Sequence, residues 1–134
     1  MTTYVDSSAL LKRYVDEVDS DIAEEFLLAD PVLVTSWVTV VEVRRNLARL
    51  LDGKNLISVQ SQFTADLDSL AMIVCDAAVA ASAAEIGESL GVRSLDAIHL
   101  ASARRLRIDD LTFLTFDIRQ AQGARSLGFN VRGS

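Results

Sequence analysis

At 134 residues, with one cysteine and a formal net charge of −6, the chain has the size of a single domain, spanning 1–134, and carries neither an internal disulfide framework nor a cysteine-built zinc site. Half of it is hydrophobic, with six glycines and one proline, so a packed core is expected and disorder is not. No apolar run reaches 18 residues and no basic-then-apolar leader opens the chain, which points to the cytoplasm and away from membranes.

In chain order, residues 2–6 read as a first strand and 8–17 as a helix capped by Asp6 or Ser7, burying Leu10, Leu11, Tyr14 and Val15. Residues 20–29 make a second helix, broken at Asp30-Pro31 because proline disfavours helix in the residue before it. Residues 32–35 form a β-rich second strand. Ser36 or Thr39 then caps a long helix to about Asp52, with Val40, Val43, Leu47, Leu50 and Leu51 at helical spacing and Gly53 as its stop. Residues 55–70 look helical and 72–75 extended, which makes Cys75 a buried core thiol. An alanine-rich helix covers 77–90 and stops at Gly91; Ser94 caps the next, 95–107. Residues 111–115 form a fourth strand, 118–127 a short helix and 129–131 an edge strand. Short strands separated by helices imply an α/β fold with right-handed crossovers and a mainly parallel sheet of four to five strands, covered on both faces.

Four acids fall at or near strand-to-helix junctions: Asp6, Glu42, Asp96 and Asp117. Singly, each has an ordinary reading. Asp6 and Asp117 can cap helices, Asp96 suits a helix's first turn, and Glu42 has capping-box spacing from Thr39 or pairs with Arg45 or Arg49. Together they differ, because helix starts that follow parallel strands share one edge of the sheet, where open α/β folds build their sites. Two carboxylates ~4 Å apart repel by roughly 4 kcal/mol at an effective dielectric near 20, whereas a helix dipole stabilises one by only ~0.3–1 kcal/mol. Such a cluster calls for Mg²⁺ or Mn²⁺, and the chemistry that goes with it is phosphodiester hydrolysis.

The acidic balance argues against a general nucleic-acid coat protein but not against a nuclease, since a metal neutralises the pocket and local basic patches hold phosphates. Arg44, Arg45, Arg49 and Lys54 form one patch; Arg104, Arg105 and Arg107 form another, and both also read as solvated helix faces. His99, the only histidine, lies beside Ile98 and Leu100 and reads as a packing residue rather than a catalytic one. One histidine and one buried cysteine give no nucleophile–base pair, and no phosphate-cradling glycine loop is present.

Nearly the whole chain resembles the PIN-domain ribonucleases, and within them the VapC toxins of type II toxin–antitoxin modules. The resemblance rests on four motifs in order: Tyr4-Val5-Asp6-Ser7-Ser8-Ala9-Leu10-Leu11, Ser36 through Val43, Leu95-Asp96-Ala97-Ile98-His99-Leu100-Ala101, and Thr112-Phe113-Leu114-Thr115-Phe116-Asp117. It implies a three-layer α/β/α fold and a catalytic, metal-binding quartet of Asp6, Glu42, Asp96 and Asp117. Asp6 and Asp96 would be the foremost Mg²⁺ (or Mn²⁺) ligands, Glu42 and Asp117 would act through water or a second ion, and Thr115 and Ser7 would be supporting hydroxyls. It further implies metal-dependent cleavage of RNA (a tRNA or rRNA loop being plausible), a cognate VapB-like antitoxin that sends an arginine toward the acids, and homodimerisation. The rivals are a non-catalytic PIN-like binding module, a PIN nuclease acting on DNA or in RNA maturation, and a receiver-like domain. The last would want paired acids after the first strand and a late lysine, and no lysine follows Lys54.

Overall fold

Two neighbouring strands show why the chain makes three layers. In the computed structural model, which describes residues 1–134, Tyr4 and Phe113 join one apolar cluster while the next residues along, Val5 and Leu114, join the other. Successive side chains of a strand face opposite sides, so a sheet apolar at both positions must be covered twice.

The elements are β1 (Thr2–Val5), α1 (Ser7–Leu11), α2 (Ser20–Ala29), β2 (Val32–Ser36), α3 (Trp37–Leu50), α4 (Gly53–Asp66), β3 (Ala71–Ile73), α5 (Ala77–Leu90), α6 (Ser94–Arg105), β4 (Thr112–Thr115), α7 (Ile118–Ser126) and β5 (Asn130–Gly133). All four strand pairings are parallel and the order is β3-β2-β1-β4-β5. One core packs Val79, Ile86, Leu100 and Ala124 of α5, α6 and α7 against Tyr4 and Phe113. The other packs Leu10, Leu27, Val43, Leu47 and Phe63 of α1–α4 against Val5 and Leu114. From β1 the chain builds outward through β2 to β3, then crosses back to place β4 on the other side of β1. The carboxyl ends of β1 and β4 therefore meet at the topological switch point, where α/β sheets open a crevice.

Several local expectations are corrected. The first helix ends at Leu11 rather than 17, because the buried Lys12 ammonium draws Glu17 and Asp19 to 3.0 and 2.7 Å and folds the chain back. Gly53 opens α4 instead of merely closing α3; its φ of +55 turns the chain between two consecutive helices. Of the expected apolar stripe on α3, Val43 and Leu47 are buried but Leu50 is exposed. Ser36, not Thr39, caps α3 by accepting from Val38 N–H, so no capping box forms with Glu42. Arg93 occupies the N-cap of α6, with Ser94 inside its first turn. Cys75 is exposed, since β3 stops at Ile73 and Cys75 lies in the link to Asp76, which caps α5. Gly91 does end α5 in the left-handed region, at φ +69. No helix is long and apolar enough to cross a membrane.

Candidate active site

Asp6 follows the last residue of β1 and caps α1, accepting from Ala9 N–H at 3.1 Å. Its Oδ1 also receives the Ser8 hydroxyl at 2.7 Å and its Oδ2 the Thr115 hydroxyl at 2.5 Å. The carboxylate is buried and fixed by donors from two segments. Ser8 and Thr115 stitch those segments further: Phe116 N–H donates to Ser8 Oγ and Asp117 N–H to Thr115 Oγ1. The hydroxyls that reach the Asp6 carboxylate are those of Thr115 and Ser8; Ser7 makes no such bond. Asp117 is exposed and caps α7 through Arg119 and Gln120 N–H.

The other two acids are tied in through their neighbours. Gln120, buried three residues after Asp117, donates to the backbone carbonyl of Asp96 at 3.3 Å. His99, three residues after Asp96, places Nε2 2.6 Å from Glu42 Oε1. Glu42 therefore pairs with the buried histidine and makes no ion pair with Arg45 or Arg49. Four segments distant in sequence are joined at one edge by hydrogen bonds that involve, or lie within three residues of, each acid.

Electrostatics report the same convergence. Burial pushes the Asp96 carboxyl above its usual range, and the negative fields of Asp117, Asp6 and Glu42 raise it further, with His99 opposing. Asp6 is also raised, by burial, against the pull of His99, Ser8, Thr115 and Ala9 N–H. No three His, Cys, Asp or Glu side chains stand close enough together to hold a metal ion between them. The donor set is nevertheless all oxygen and mutually repelling, which fits a hard cation that takes one or two carboxylates and keeps several waters, as Mg²⁺ does. A cleft of about 370 Å³ opens beside Asp96, lined among others by Arg93, Arg119, Gln122 and Ser126. Two cationic side chains thus share a cleft with Asp96.

A sequence profile of the PIN domain matches residues 3–125. The chain belongs to the PIN-domain family. Among its relatives, ribonuclease VapC46 of Mycobacterium tuberculosis is 35% identical over 130 residues, covering 96% of this PIN domain and 94% of the relative. VapC20 of Mycobacterium tuberculosis, described as a sarcin-ricin loop cleaving toxin, shares the fold with a TM-score of 0.75 at 19% identity, over 97% and 98% of the two chains. A chain of a toxin–antitoxin complex from Klebsiella pneumoniae does so with a TM-score of 0.73 at 17% identity, over 97% and 95%.

Sequence reasoning passed over Ser8, Gln120, Arg93 and Arg119 and took His99 for packing alone. A hydroxyl two residues after a capping aspartate is a local signal for Ser8. The rest needed the α6–α7 and α3–α6 contacts, which no local pattern states. The basic residues of the two patches are exposed; Arg104, Arg105 and Arg107 line a separate cavity of about 690 Å³, and Arg105 pairs with Asp76 at 3.1 Å.

Proposed function

We propose that this PIN domain is a metal-dependent endoribonuclease toxin of the VapC kind, held in check by a cognate antitoxin. The observation that carries the reading is the hydrogen bonding that ties the segments of Asp6, Glu42, Asp96 and Asp117 together at the switch point of the sheet. Kinship with ribonuclease VapC46 along almost the whole chain supports the same reading.

Asp6 and Asp96 would hold Mg²⁺ or Mn²⁺, with Glu42 and Asp117 acting through water. When bound, the ion lowers the pKa of a coordinated water and offsets charge on the phosphodiester. The chain's own part is to hold the acids still: Ser8, Thr115 and Ala9 N–H fix Asp6, while the capping bonds fix Asp117. Arg93 and Arg119 would take flanking phosphates, and a single-stranded loop of tRNA or rRNA suits an open edge because its bases are splayed. The acidic crevice favours a basic antitoxin segment that presents an arginine to the carboxylates. Exposed Val18, Ile22 and Leu28, in and just before α2, suit a second copy of the chain.

Inducible expression in a bacterial host tests the toxin reading. Wild type should arrest growth and fragment RNA, and Asp6→Asn should do neither although it accumulates as folded protein. Titration calorimetry with Mn²⁺ adds the metal arm, with heat expected for wild type and lost in Asp6→Asn. Growth arrest by Asp6→Asn equal to wild type contradicts the site.

A further inference from the structure

The mechanism leaves one buried titratable pair unused. Tyr4, on β1, is fully buried, and its hydroxyl lies 2.8 Å from His99 Nδ1. The His99 ring is 1% exposed, and its other nitrogen meets Glu42 at 2.6 Å. An ionised carboxylate only accepts, so Nε2 carries the hydrogen toward Glu42 and Nδ1 accepts the Tyr4 hydroxyl. Both ring nitrogens are satisfied, and the tautomer is set by the two partners.

Packing holds the chain from its far end. Tyr4 stacks on Phe113 with ring centroids 5.2 Å apart and meets the His99 ring edge-on at 6.0 Å. Phe113 is itself fully buried. The imidazole is thus buried and held at both nitrogens. Glu42, by contrast, is 20% exposed on α3 and its Oε1 has no other partner than His99. A free glutamate at such a place samples several rotamers, since each of its side-chain torsions has multiple wells.

We infer that His99 is a positioning residue, resting on the ribonuclease reading above: the Tyr4–His99–Glu42 chain anchors the Glu42 carboxylate to the core so that it faces the cation crevice in one orientation. It is the part that outer partners of metal-site ligands play, where their loss costs 10–100-fold in affinity or rate. Oε2 makes no hydrogen bond within the chain and would be free to meet a cation's water.

The test is a double-mutant cycle on His99→Leu and Glu42→Gln, read by Mn²⁺ affinity in calorimetry, by kcat and KM on RNA, and by melting of the metal-free proteins. His99→Leu should weaken Mn²⁺ binding and lower kcat by about 10-fold each, with KM for RNA unchanged. In the double variant the effects should not add, because His99 acts only through Glu42. His99→Gln, which restores an N–H donor toward Glu42, should recover most of the loss. If His99→Leu does not fold, Tyr4→Phe carries the test: it keeps the stacked ring, removes the hydroxyl and should give a smaller loss, about 3-fold, in the same two readouts. Additive effects, or variants that melt lower yet bind Mn²⁺ and turn over like wild type, overturn the inference and make His99 purely structural. Absence of Mn²⁺ binding and cleavage already in wild type overturns the ribonuclease reading, and the inference with it.

Discussion

Three donors converge on the buried Asp6 carboxylate and offset part of what burial costs its charged form. Thr115 is the donor that comes from another strand, so its hydroxyl locks β4 to β1 as well as orienting the carboxylate. Thr115→Val keeps the shape and strands Oδ2 without a donor. It should cost about 1–3 kcal/mol in urea unfolding and lower cleavage about 10-fold, while Thr115→Ser changes little. An unaltered Thr115→Val would show that the bond contributes nothing. At Asp96 the neighbouring carboxylates add to the effect of burial. Its carboxyl is raised in the folded state by burial and by Asp117, Asp6 and Glu42, so through the window above the ordinary carboxyl value the native state binds more protons than the unfolded chain. Stability conferred by the protonated form is therefore lost as pH rises through that window. In metal-free protein, Asp96→Asn should raise the Tm at pH 8, and calorimetry at pH 4 should find that gain gone. A gain of equal size at both pH values would contradict the electrostatic origin.

Close approach of helices is the corresponding theme among the elements. Gly123 of α7 is tightly packed: a Cβ there would lie 3.1 Å from Leu100 Cδ1 and 3.4 Å from Val92 Cγ1, so those side chains would have to give way. Gly123→Leu should cost about 1–3 kcal/mol and, by displacing Gln120 from the Asp96 carbonyl, reduce cleavage as well. Denaturant midpoints and rates on the same preparation check both halves. Elements with their own punctuation were legible in the sequence: α2 before Asp30-Pro31, α5 up to its stop at Gly91, and the short apolar runs of β1 and β4. The misreadings share a cause. The end of α1 is set by Lys12 reaching Glu17 and Asp19, and the exposure of Cys75 by the early end of β3 at its pairing of Ile73 with Ser36. Both are tertiary decisions. The acids at 6, 96 and 117 were legible because strand ends and helix starts announce them. Glu42, placed near such a junction, lies one turn inside α3, and its histidine partner could be seen only once α3 and α6 were packed.

At the scale of the molecule, a net charge of −6 sits awkwardly with an RNA substrate unless charge is local. Arg93 and Arg119 line one cleft with Asp96, and on the proposed reading they supply that local positive charge. RNA binding should accordingly weaken with salt, while a basic antitoxin segment competes for the same crevice. Arg119→Ala should raise KM for RNA several-fold and flatten the salt dependence, with kcat little changed; an unchanged salt slope would place the phosphates elsewhere. Whether the crevice cleaves RNA at all is read most directly by incubating purified, antitoxin-free protein with total cellular RNA in Mg²⁺ or EDTA, beside Asp96→Asn, and sequencing the new ends. Discrete ends made only by wild type with Mg²⁺, and reduced on the order of 100-fold or more in Asp96→Asn, are expected. Identical end profiles in all arms, from protein shown to be folded, would contradict a metal-dependent ribonuclease and leave a PIN fold that binds without cutting.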